Sequence, residues 1–120
     1  LNSAPAVRTG NKMHIAGMAA PYSDQTDLPD GAYDIGFRAH HLHVKKPTDK
    51  ALEVAATVAV TEITGSESFI HVDALGERWT ALSHGVHHYN AGDEITLYLN
   101  PADFLVFGKG GNAPAQAGAR

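Results

Sequence analysis

The chain has 120 residues, 43% of them apolar, a formal charge of −4 and no cysteine. That is enough apolar material for one ordinary domain with its own core, and it rules out disulfides, thiolate zinc sites and a cysteine nucleophile while fitting a reducing compartment. No apolar run approaches the roughly 18 residues of a membrane span, so a soluble chain is expected; the nine Lys and Arg are scattered apart from Lys45-Lys46, which argues against a nucleic-acid groove.

Residues 1–6 begin with Leu1 rather than methionine and carry Pro5 among Ser3, Ala4 and Ala6 without periodicity. They are expected to be a linker from a domain upstream. Val7-Arg8-Thr9 and Lys12-Met13-His14-Ile15 flank Gly10-Asn11, a pair suited to the positive φ values of a tight hairpin. Residues 21–31, rich in Asp, Ser, Thr and Pro, predict a surface loop. After Asp30-Gly31 the chain alternates apolar with small or polar residues through Tyr33, Ile35 and Phe37, breaks for about one turn, and re-enters with an apolar pair.

Residues 52–63 alternate through Val54, Ala56, Val58 and Val60 and predict the longest strand. Gly65-Ser66-Glu67 turns it back into residues 69–75, and Gly76-Glu77 turns again into residues 78–82, completing a meander. Residues 83–90 are polar and His-rich, hence a loop. After Phe107 the Gly-, Ala- and Pro-rich residues 108–120 cannot bury enough surface to order themselves, so a mobile tail is expected.

Residues 33–44 return as residues 95–106. At one constant offset Tyr33, Ile35 and Phe37 fall on Ile95, Leu97 and Leu99, and the run from Arg38 to Val44 falls on the run from Asn100 to Val106. Gly92-Asp93 opens the second copy as Asp30-Gly31 opens the first. Pro101 suits the first position of a short helical turn and Asn100 can cap it. One matched pair is too few units for a solenoid, so the repeat predicts internal pseudo-symmetry in one small all-β barrel or sandwich. Residues 39–41 and 101–103 are the only helical turns expected.

Gly36-Phe37-Arg38-Ala39-His40-His41-Leu42 resembles the Gly-Ile-Arg-Pro-Glu-His-Leu segment of the transport-associated OB domain (TOBE, MOP-like), which follows the ATPase domain in importers of sugars, polyols and glycerol phosphate. The run from Val58 to Glu67 is similar to that family's Val-x-x-Val-Glu-x-x-Gly-Ser-Glu hairpin. Phe69-Ile70-His71-Val72 resembles its next strand, and residues 92–107, with Asn100-Pro101 inside them, its closing strand and turn. The resemblance covers residues 30–107; residues 7–18 match the family's opening segment only loosely, and Ala39-His40 replaces its usual Pro-Glu.

The resemblance implies an OB-fold-like barrel over residues 7–107 that regulates and supports dimers of an ABC importer's ATP-binding subunit at the cytoplasmic face of the membrane. The implied partners are the ATPase domain of the same chain, a second copy of the subunit, the permease subunits through that domain, and a regulatory protein. ATP and magnesium would belong to the ATPase domain, leaving no enzyme activity, cofactor or metal for this chain. Relatives that bind molybdate-like oxyanions imply an alternative, a small-oxyanion module, with Thr64-Gly65-Ser66 the candidate at a dimer seam.

The residues themselves offer little chemistry. There is no Gly-x-x-x-x-Gly-Lys-[Ser/Thr] loop, and no helix former follows Gly108-Lys109-Gly110-Gly111. His40, His41 and His43 could join His84, His87 and His88 around a metal, with His41 and His43 sharing a face if the strand begins at His41, but no carboxylate motif accompanies them. Solvated loop histidines are the preferred reading; protonating all eight histidines would carry the charge from −4 to +4 and make contacts between copies pH-dependent. Trp79, Phe69, Tyr89 and Tyr98 could stack bases or sugars, yet core packing is favoured because interleaved basic residues are missing. Glu62, Glu67, Asp73 and Glu77 are expected on the solvent face, and Ser66 and Ser68 lack a Gly-x-Ser-x-Gly elbow.

Overall fold

Inward and outward side chains alternate along β1 (Asn2–Thr9), so that Asn2, Ala4, Ala6 and Arg8 all point into the protein. The computed structural model describes residues 1–24, 26–108 and 114–116. Residues 2–6 therefore belong to the barrel and are not the expected linker; small side chains at Ala4 and Ala6 let this strand lie close to the core. The Gly10-Asn11 turn forms, with Thr9 opposite Lys12 at the start of β2 (Lys12–Ile15), but of the pair Gly10 alone has a positive φ, at 61°.

After β3 (Tyr22–Ser23), β4 (Gly31–Phe37) pairs with the other side of β1. A 3-10 turn, Ala39–His41, leads into β5 (Leu42–His43). The meander follows as β6 (Leu52–Thr64), β7 (Glu67–Ala74) and β8 (Glu77–His84). β9 (Glu94–Leu99), the 3-10 turn Pro101–Asp103 and β10 (Leu105–Gly108) form the second copy of the repeat. Asn100 Oδ1 accepts from the Ala102 N–H at 3.1 Å, capping that turn as its sequence predicts. β11 (Pro114–Gln116) pairs with β10, so part of the expected tail is a strand. The rest of the expected tail after Gly108 lies outside the described residues.

The strands make two antiparallel sheets, in the orders β11-β10-β4-β1-β2-β3 and β5-β9-β6-β7-β8. The two copies of the repeat exchange their short strands: β5 of the first pairs with β9 of the second, and β10 of the second pairs with β4 of the first. Register is preserved by the exchange, because His43 opposite Tyr98 becomes Leu105 opposite Gly36 at the same offset that relates the two sequences. Gly36 leaves room for the Phe107 ring from β10: a Cβ there would lie 2.9 Å from that ring and would have to displace it.

Where the sheets meet, the Asn2 amide donates to the Thr80 carbonyl and accepts from the Thr80 N–H, both at 2.8 Å. Trp79 Nε1 donates to the Ser3 carbonyl at 2.9 Å. These contacts tie β1 to β8 and bring the sheets round into a nearly closed, OB-fold-like barrel. Trp79, Phe37 and Phe104 fill its middle, the Phe37 and Trp79 rings meeting edge to face at 5.0 Å.

Two local details differ from the sequence pattern. In β6, Val58 lies opposite Val72 but Val60 lies opposite His71, leaving Ala59 as a bulge. The extra residue reverses the alternation, so Val54, Ala56 and Val58 are buried while Val60 is 48% exposed. The bulge also bends β6, whose first half pairs with β9 and whose second half pairs with β7. The second meander turn is Leu75-Gly76, not Gly76-Glu77: both residues have positive φ, at 54° and 79°. That is the backbone of a type I′ hairpin, and Leu75 accepts it because its side chain packs on the core edge beside Gly17.

Candidate functional site

Two histidine groups far apart in sequence meet at one end of the barrel. An open groove of about 410 Å³ is lined by His40, Leu42, His43, Val44, Lys45, Leu82, Ser83, His84 and His87. The 3-10 turn and β5 supply one wall, and the end of β8 with the following loop supplies the other. Leu42, Val44 and Leu82 give the groove its apolar part; among the described residues that line it, none is a carboxylate.

The second wall is held by Ser68. Its buried hydroxyl donates to the Gly85 carbonyl and accepts from the His87 N–H, each at 2.9 Å. His87 Nε2 lies 3.0 Å from Ser83 Oγ, and its ring stacks on Tyr89 with centroids 5.9 Å apart. Ser68 is thus a structural hydroxyl with no access to substrate, while Ser66 sits exposed in the turn before β7.

The first wall departs from the sequence expectation. Strand geometry begins at Leu42, so His41 stays in the 3-10 turn and does not share a face with His43. The His41 ring lies 4.1 Å from that of His40, and its Nε2 is 4.0 Å from Asp103 in the turn of the other repeat. The His43 imidazole titrates below its usual range, chiefly because burial penalises its charged form; Asp103 opposes this, and His41 and His40 add to it. His88 is exposed and does not line the groove. Among the described residues no three His, Asp or Glu side chains are placed to hold a metal ion.

The remaining candidates disperse. Trp79 is 1% exposed and belongs to the core, so it forms no stacking platform with the half-buried Phe69, Tyr89 and Tyr98. Three of the carboxylates face nitrogen-bearing side chains and not one another: Glu62 meets the His71 imidazole at 2.6 Å, Glu67 the His84 imidazole at 3.3 Å, and Asp73 the Arg78 guanidinium at 2.6 Å. Glu77 is half-buried at the start of β8. Thr64-Gly65-Ser66 is exposed at the tip of the β6–β7 hairpin. Of the glycine-rich stretch, Gly108 ends β10 and residues 109–111 lie outside the described residues.

Sequence reasoning grouped the histidines but missed Lys45, Leu42 and Leu82 as their neighbours. Pairing with β9 puts β5 at one edge of the five-stranded sheet, and the curling of that sheet brings this edge round to β8 at the other. Among the described residues, no helix is long and apolar enough to cross a membrane. No curated protein sequence matches the chain. The family profile described as the TOBE domain matches residues 35–107, which takes in both copies of the repeat and the meander between them.

Proposed function

The chain belongs to the TOBE domain family, and on that premise we propose that it is a non-catalytic regulatory and dimer-supporting lobe of the ATP-binding subunit of an ABC importer for a carbohydrate, polyol or glycerol phosphate. TOBE domains occur at the C-termini of ABC transporter ATPases. The observation that carries the reading is the match across residues 35–107, because it includes both turns, Ala39–His41 and Pro101–Asp103, on which the strand exchange depends.

The site chemistry agrees with a non-catalytic role. Ser68 is engaged by the loop it holds, Glu62, Glu67 and Asp73 are each paired with a nitrogen-bearing side chain, and His71 bridges Glu62 and Thr80 on the half-exposed side of the sheet. In this reading ATP and magnesium are bound by an ATPase domain of the same polypeptide, a second copy of the subunit and the permease subunits are its partners, and the lobe works at the cytoplasmic face of the membrane.

The test is twofold. The reading frame ahead of Leu1 is expected to encode a phosphate loop and a Leu-Ser-Gly-Gly-Gln signature, and a frame without them overturns the proposal. The purified 120-residue chain is expected to give no ATP turnover above a blank; measurable turnover overturns its non-catalytic part.

A further inference from the structure

We propose that the open edge of β6 past its bulge is a docking site for an extended segment of another polypeptide, one that alternates Lys or Arg with Val or Ile and adds a strand to the sheet. β6 pairs with β9 only as far as Thr57 opposite Glu94, and Val58 closes that ladder on the backbone of Gly92 and Asp93. Beyond it β6 runs on to Thr64 with β7 on one side, and among the described residues no strand lies on the other. Thr64 and Glu67 flank a two-residue turn and so form a hydrogen-bonded pair. This directs the N–H and C=O of Glu62 toward β7 and those of Thr61 and Ile63 toward the open side. Outward backbone groups of this kind are a template for one more strand.

Charge and shape select the strand. β6, β7 and β9 hold Glu53, Glu62, Glu67, Asp73 and Glu94 and no Lys or Arg. Glu53 and Asp73 are met by Lys46 and Arg78 from outside these strands, and Glu67 stands beside the His84 imidazole. Glu62, beside the His71 imidazole, and Glu94 remain exposed on the outer face together with Val60. A Lys or Arg of the added strand meets the two carboxylates there. On the inner face Ile63 is exposed, and Val86 is exposed between Gly85 and His87, both held by Ser68, the residue opposite Ile63. A Val or Ile pointing to that face covers them, and the alternation follows from the pleat.

The same charges turn away a second copy. Two β6 edges overlap most fully when Thr61 of each lies opposite Ile63 of the other, and that antiparallel register sets Glu62 directly against its own counterpart, where like charges destabilise the pair. Thr61 Oγ1, withdrawn from water and without a partner in the chain, adds an unmet polar group to this edge. The edge is built within residues 58–94, so it takes its strand whether or not an ATPase domain precedes the chain.

Titration of the isotope-labelled chain with a capped peptide of about six residues alternating Lys and Val, read by NMR amide exchange, is the test. In the free protein the Thr61 and Ile63 amides are expected to exchange about tenfold or more faster than that of Glu62, and saturating peptide is expected to slow both about tenfold or more. N-methylation of one alternate set of the peptide's amides should abolish binding and that of the other set should not, because a strand offers one edge at a time. A peptide alternating Glu and Val should bind several-fold more weakly, Glu62→Lys should reverse that preference, and Glu77→Gln, at the start of β8, should change neither. No saturable binding, equal affinity for the two peptides, an equal effect of both N-methylated sets, or binding without slowed exchange at Thr61 and Ile63 overturns the proposal. So does slowing of those two amides when the chain alone is concentrated, which would make a second copy the occupant.

Discussion

Arg8 Nε donates to Asp24 Oδ2 at 2.9 Å, and both side chains are withdrawn from water, at 5% and 9% exposure. The same guanidinium donates to the Leu28 and Thr26 carbonyls, and Asp30 stands 3.7 Å away. One buried cation thus gathers the loop that joins β3 to β4. Removing it strands a carboxylate and two carbonyls in a poorly solvated place. Arg8→Ala is expected to cost about 3–5 kcal/mol, and Arg8→Ala with Asp24→Ala to cost clearly less than the sum of the two single changes. Urea unfolding of the four proteins measures this; additive losses would show that the pair is not coupled.

Asn2 acts as a substitute strand partner for Thr80. Asn2→Ala deletes both of its hydrogen bonds and leaves the Thr80 N–H and carbonyl without it, at a cost of about 1–3 kcal/mol. Asn2→Asp keeps the acceptor and should lie between that variant and the parent. Urea midpoints at fixed slope decide the order.

The β6 bulge gives neighbouring valines opposite fates. Val58→Ala opens a void in the core and is expected to cost about 2 kcal/mol, whereas Val60→Thr on the exposed side should stay within about 0.5 kcal/mol. Equal losses would mean that the strand continues through residue 60 without its bulge.

His43 predicts an acid weakness. Its proton affinity is lower folded than unfolded, so the contribution to stability is full above the ordinary imidazole range and is lost as pH falls through about 6.5 and below. Between pH 7.5 and 5.5 the parent should lose more of its urea midpoint than His43→Gln does. An identical loss in both would assign the acid sensitivity elsewhere.

Tyr22 predicts the opposite flank. Burial, reinforced by Asp24, pushes its phenol well above the ordinary range. Stability from this group is complete below about pH 10, the unfolded value, and declines above it. Tyr22→Phe should flatten the alkaline limb of a stability profile; an unchanged limb would refute the assignment.

The strands and turns that local chemistry specifies were legible beforehand. Gly10-Asn11, Asn100-Pro101 and the alternation through Ile35 and Leu97 each declare themselves within a few residues, because turn geometry and the pleat act over that range. The duplicated segments even indicated the pseudo-symmetry. Residues 2–6 were missed because Ala4 and Ala6 are too small to show a strand pattern and Asn2 finds its partner 78 positions away. The Val60 reversal was missed because the valines at 58 and 60 look equivalent until Ala59 is squeezed out of register. Leu75 looks like a strand end in the sequence because its turn conformation is set by tertiary packing. The histidine groove needed the closure of the five-stranded sheet, which brings its edge strands β5 and β8 together and which no run of neighbouring residues announces.

Each duplicate lends a strand to the other's sheet, so neither holds its full set of pairing partners by itself. A cut in the hairpin between β6 and β7 would leave two pieces with complementary vacancies, fit to reassemble only with each other. The structural unit is therefore the mated pair: a lesion in one duplicate is felt as a missing neighbour in its twin.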